Sequence, residues 1–156
     1  MFTLQKPGKT QTKSVLKFEA GWRESLSAPI YQGSKLVIDY EPSRLPACRS
    51  DGPLNFPGWG IKVFIKFDSD GQVHEGHLTQ MLEDAAEIER RVSVMGNQGW
   101  LKSVPFELDV PQNATQVEIW FNNYDYSQCS TWDSRYGQNY IYPVFPERYT
   151  SAKTIG

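Results

Sequence analysis

Within fourteen positions, from Thr131 to Val144, the chain carries four aromatic rings (Trp132, Tyr136, Tyr140, Tyr142), two side-chain amides (Gln138, Asn139) and the carboxylate of Asp133. A pyranose has one apolar C–H face and a rim of hydroxyls, so flat rings cover the face while amides and carboxylates satisfy the rim. Trp132, Tyr136 and Tyr140 are therefore candidate stacking rings, and Asn139, Asp133 and the more distant Asn122 are candidate hydroxyl partners. Apolar alternation is broken by Asp133, Ser134, Arg135, Gly137, Gln138 and Asn139 until Tyr140 restores it, so the stretch reads as a loop delivered onto a last strand. The same residue types would also serve a polar loop pinned by a Trp plug and a tyrosine hydroxyl.

Other chemistries find less to work with. No nucleophile elbow, phosphate-cradling glycine loop or HExxH pair is present. The two histidines, His74 and His77, stand three apart on an expected strand and so point to opposite faces, which spoils a shared metal site. Asp68-Ser69-Asp70-Gly71 opens like a calcium loop but lacks the later bidentate Glu and reads as a hairpin turn. Glycoside hydrolysis needs two carboxylates held close together across a cleft; Asp125 and Asp133 are the pair this region offers, and nothing in their spacing singles them out. The expectation is a protein that is not an enzyme and needs no cofactor or metal, with a hydrolase as the residual option. Cys48 and Cys129 match no zinc or CxxC spacing and form either one disulfide or two unrelated thiols.

A net charge of -2, with no basic run longer than Arg90-Arg91, argues against a nucleic-acid partner. Mean hydropathy is -0.53, and no apolar run approaches the roughly 20 residues of a membrane helix, so no membrane span is expected. The first residues show no basic segment followed by an apolar one, so no signal peptide is expected in this sequence. Five Trp and eight Tyr exceed what a core requires, and some of those rings should face solvent or ligand.

These side chains need strands to hold them. Val15, Leu16 and Phe18 begin one, which Gly21 and Trp22 interrupt, with Trp22 read as a core-capping ring. Leu36, Ile38 and Tyr40 share one face of the next. Pro42 to Gly60 is a long connection, of the kind that is tethered or functional. Ile61, Val63, Ile65 and Phe67 alternate inward against Lys62 and Lys66, and the Asp68–Gly71 turn returns a polar strand. Met81 to Arg91 reads either as a short helix or as a charged excursion. Two more alternating runs, Val104 to Val110 and Val117 to Phe121, bring the strands to seven or more at sandwich-like spacing. The expected fold is all-β, a two-sheet antiparallel β-sandwich, with a flexible arm at 1–12, one domain at 13–148 and a tail at 149–156.

Phe106 to Pro111, then Val117 to Tyr124, then Trp132, Asp133, Gly137, Asn139 and Tyr140 run in an order that resembles the C-terminal half of starch- and glycogen-binding modules of families 21, 25 and 53. Gly60 to Phe67 is similar to the lysine-bearing middle strand of those modules. Ser134 stands where they usually carry an Asn that faces the ligand, and the segment from Arg44 to Arg49 has no counterpart in them. That segment, with Thr131 to Ser134 and Gly137 to Val144, resembles a family of uncharacterised bacterial, often secreted, proteins. The resemblances imply an immunoglobulin-like or carbohydrate-binding-module-like sandwich, a glycan partner such as an α-glucan, an extracellular or periplasmic setting, and a Cys48–Cys129 disulfide. The leading expectation is non-catalytic carbohydrate binding through the 132–140 loop. The alternative is a secreted toxin-accessory or host-interaction protein that acts through a protein surface, and a cytoplasmic location stays open.

Overall fold

A computed structural model describes residues 12–147. Only Thr12 of the expected arm is among them, and the expected tail at 149–156 lies outside the described residues. In chain order the first strands are β1 (Lys13–Glu19), β2 (Arg23–Leu26), β3 (Ile30–Tyr31), β4 (Lys35–Tyr40), β5 (Trp59–Phe67), β6 (Val73–His77) and β7 (Thr79–Met81). Helix α1 (Ala85–Met95) follows, then β8 (Leu101–Ser103), β9 (Phe106–Asp109), β10 (Gln116–Asp125), β11 (Ser130–Asp133) and β12 (Tyr140–Phe145).

Period-two alternation builds the core. Leu16 and Phe18 of β1 and Leu36, Ile38 and Tyr40 of β4 turn their side chains toward Ile61, Val63, Ile65 and Phe67 of β5 and Val117, Ile119 and Phe121 of β10. The strands of the first group lie in a four-stranded sheet, β2-β1-β4-β9, and those of the second in a larger sheet, β3-β12-β10-β5-β6, with β11 paired to β10 beside β12. Strand β10 is the hinge of the larger sheet. Its first half pairs with β12 and its second half with β11, so the 134–139 loop leaves and re-enters along one edge.

The expected all-β, two-sheet antiparallel sandwich does not describe this fold. It is mixed, with three sheets, one of them a half-open half-barrel, and it includes helix. Strands β1 and β4 pair in parallel, as do β3 and β12. Alternation reports which face of a strand is buried and not which neighbour the strand takes, which is why the sequence pattern missed the parallel pairs. The third sheet, β7-β8, carries α1 between its strands. The helix starts at Ala85, because Asp84 accepts a hydrogen bond from the Glu87 amide and caps it, while Met81 is still in β7. Gly96, at φ 65, ends it.

Cys48 and Cys129 form the disulfide, with Cα atoms 5.3 Å apart. It ties the 42–58 connection to the β10–β11 hairpin. Within that hairpin Asp125 accepts hydrogen bonds from the Ser127 hydroxyl and the Ser127, Cys129 and Ser50 amides. The Ser127 hydroxyl, together with those amides, brings its carboxyl down to about 2. Arg49 holds the connection from the other side, donating to the carbonyls of Pro42, Leu45 and Ala47 and to Asn123 Oδ1 while stacking 4.2 Å from the Trp59 ring.

Candidate functional site

Where the β2 edge of the smaller sheet faces β11 and β12 of the larger, the core opens into a cavity of about 570 Å3. Its rim carries Trp22, Glu24, Trp132 and Tyr136, and its floor carries Arg44, Asp133, Tyr140 and Tyr142. The rim rings face solvent: Trp22 is 56% exposed, Trp132 54%, and Tyr136 fully.

Two of those rings are mounted on backbone that L-residues seldom adopt. Trp22 has φ 59, and Tyr136 has φ 57 between Arg135 at 52 and Gly137 at 86. Each left-handed residue other than glycine costs of order 1 kcal/mol, and such outliers cluster where a protein displays side chains for contact. The loop is closed by its own bonds: the Gly137 amide donates to Ser134 Oγ, and the Asn139 and Gln138 amides donate to the Ser134 and Arg135 carbonyls.

The floor is a charge network with no side-chain donor of Arg44 left over. Arg44, its side chain without solvent contact, comes from the 3-10 turn Pro42–Arg44. Its Nε donates to Asp133 Oδ2 at 2.9 Å, Nη1 to the Glu19 and Arg23 carbonyls, and Nη2 to Tyr140 Oη at 2.9 Å and Glu24 Oε2 at 3.4 Å. Asp133 also accepts from the Tyr40 hydroxyl at 2.7 Å and the Tyr140 hydroxyl at 2.5 Å. The guanidinium sits 5.0 Å from the Trp22 ring centroid and 5.4 Å from that of Tyr140, so it braces one rim ring from below. Behind it, Phe18, Tyr40, Phe121 and Tyr140 form a buried aromatic cluster with centroids 4.4 to 6.4 Å apart.

Burial and the neighbouring carboxylate raise the phenols of the floor. Tyr140 is pushed up to about 12 by burial and Asp133, Tyr40 is pushed further by the same two causes, and Tyr142 rises through burial and Glu24, which accepts its hydroxyl at 3.3 Å. An unfolded tyrosine titrates near 10. The contribution of these groups to stability is whole below about pH 10 and falls as pH climbs toward the folded values. At about pH 11 the native protein should show fewer phenolates than the denatured one by ultraviolet absorbance, and its unfolding midpoint should lie below that at neutral pH. Equal phenolate counts in the two states would contradict the burial of this floor.

The six residues proposed from the sequence divide sharply. Trp132 and Tyr136 stand on the rim, whereas Asp133 and Tyr140 are 3% and 6% exposed and hold the floor. Asn122 is buried and its amide donates to Ser130 Oγ, and the Asn139 amide donates to Glu118 Oε2 at 2.6 Å, so both NH2 groups are engaged by neighbours outside the cavity lining. Trp22, read as a core cap, stands exposed on the rim instead. Glu24, Arg44 and Tyr142 line the cavity without having been named as candidate ligand contacts, although Tyr142 belongs to the aromatic stretch. Asp125 caps a turn and does not line the cavity, so it makes no pair with Asp133 there. His74 and His77 sit opposite Ile65 and Lys62 of β5, on opposite faces of the sheet.

A second aromatic group lies on the outer face of the larger sheet. Phe64 stacks on Trp120 at 5.8 Å and meets Trp132 at 5.6 Å, across the intervening strand β10. Trp132 thus joins this half-buried ring pair to the cavity rim. No helix among the described residues is long and apolar enough to cross a membrane.

Compared with known proteins, residues 8–145 match the model of a family of unknown function, DUF6209. No curated protein and no solved structure matches the chain.

Proposed function

Since the chain belongs to the DUF6209 family, whose function is unknown, we propose from the cavity itself that the protein binds carbohydrate without transforming it. The observation that carries this reading is the pair of exposed indoles, Trp22 and Trp132, on the rim of a cavity with a polar floor. Indole faces take the C–H face of a pyranose, and Glu24, Ser134, Arg135 and the Tyr142 hydroxyl lie on the same lining to meet the hydroxyl rim. The α-glucan implied by the starch-module resemblance is the first sugar to try. Because the Asn139 amide is spent on Glu118, the rings and Glu24 carry the recognition.

The way the carboxylates are used supports binding without catalysis. Both oxygens of Asp133 accept from Arg44 or from tyrosine hydroxyls, which leaves Glu24 as the other carboxylate of the lining, itself engaged with Tyr142 and Arg44. Neither is an idle acid or base beside a reacting bond. The disulfide supports an oxidising compartment, outside the cell or in the periplasm.

Affinity electrophoresis through gels containing amylose, glycogen, xylan, laminarin or mannan tests the proposal. Retardation by at least one polymer is expected. Trp22→Ala and Trp132→Ala should each weaken it by about 1–2 kcal/mol, the order of one aromatic contact with its buried area. Because both rings are more than half exposed, each change should alter folding stability by less than about 1 kcal/mol. Free migration in every gel would refute the carbohydrate reading.

A further inference from the structure

Helix α1 is built firmly and yet buries none of its residues. It is capped at both ends, Arg91 donates to the Gly99 and Leu101 carbonyls, and Glu87 pairs with Lys102 of β8 at 3.2 Å. An isolated helix of this length is marginal in water and is normally held by packing its apolar face. Here that face opens on a groove of about 430 Å3 lined by Leu82, Ala85, Ile88, Val92 and Trp100, with Glu83 and Glu89 on its border. Val94 and Met95 at the end of the helix are 83% and 48% exposed. The groove shares no lining residue with the cavity.

We infer that this groove docks a segment of a partner protein that carries apolar side chains flanked by lysine or arginine. The apolar floor takes one or two aliphatic or aromatic anchors, in the manner of a peptide in a hydrophobic groove. The border decides the sign of the partner. Both groove carboxylates, Glu83 and Glu89, lack an ion-pair partner among the described residues, and no basic residue lines the groove. An acidic partner would meet like charges there, and so would a second copy of this groove. A basic segment gains attraction from both carboxylates, and that attraction weakens as salt rises.

A displayed library of random 12-residue peptides, selected on the full chain, tests the inference. Enriched peptides should combine apolar residues with lysine or arginine, lose at least about tenfold in affinity on Ile88→Asp, and protect the α1 amides from hydrogen exchange. Glu83→Lys with Glu89→Lys should shift the selected sequences toward acidic ones. Glu83 and Glu89 are exposed and Ile88 is only partly buried, so both variants should fold, which a thermal melt checks, and Val92→Asp stands in if Ile88→Asp does not. No enrichment, enriched peptides without a basic bias, or equal binding to the parent and the groove variant would each overturn the inference. So would self-association of the parent that Ile88→Asp abolishes, since the occupant would then be a second copy.

Discussion

Replacing Asp133 by alanine should lower the unfolding free energy by about 3–5 kcal/mol, the range for removing one partner of a buried ion pair. The side chains of Arg44 and Asp133 are 0% and 1% exposed, so the guanidinium left behind keeps Glu24, at 3.4 Å, as its ion-pair partner and loses the closer, buried one. The Tyr40 and Tyr140 hydroxyls lose their acceptor at the same time. Asp133→Asn keeps the shape and one acceptor oxygen, and should cost less, about 1–3 kcal/mol. A double change of Arg44 and Asp133 to leucine should recover part of the loss of the single Asp133 variant, because it removes a buried guanidinium that would keep only its longer pairing with Glu24. Urea unfolding at constant slope measures all three. A loss under about 1 kcal/mol for Asp133→Ala would mean that water reaches the guanidinium, and that this network is not the closed floor described above.

The same residue shows where sequence reading succeeds and where it stops. Strand β5 was legible because Ile61, Val63, Ile65 and Phe67 alternate with polar neighbours, and each of those four is buried. The loop motif was legible only as a group of residue types. Trp132 pairs with Asn122 and Asp133 with Phe121, so successive side chains of β11 leave the sheet on opposite faces, which puts the ring on the rim and the carboxylate in the floor. Reading Thr131 to Asp133 as strand would have separated the ring from the carboxylate. The partner of Asp133 had no local signal at all, since Arg44 lies 89 residues earlier in a loop without periodicity. Trp22 misled for a related reason: a ring after a glycine suits either a plug or a displayed turn, and only the opposing sheet edge decides between them. Helix α1 left its mark in the absence of glycine and proline, but its uncovered face could not be told from a charged excursion while its packing was unknown.

Reducing the Cys48–Cys129 bond, or changing both cysteines to serine, should cost about 4.5 kcal/mol by the chain-entropy relation for a separation of 81 residues. For a chain of this size that loss corresponds to a fall of roughly 10–18 °C in melting temperature. The bond does more than shorten the unfolded chain, because it pins the connection that carries Arg44 and Leu45 to the hairpin that carries Trp132 and Asp133. Arg49 and the Ser50–Asp125 bond hold the same connection, so the reduced protein should keep its fold at low temperature while the cavity floor loosens. Thermal melts with and without a phosphine reductant, beside the double serine variant, separate the covalent effect from any action of the reductant. Unreduced protein, once denatured, should yield no free thiol. Two titrating thiols would show that the bridge does not form, and a melting shift of only a degree or two would assign the hold on the 42–58 connection to Arg49 and Asp125 alone.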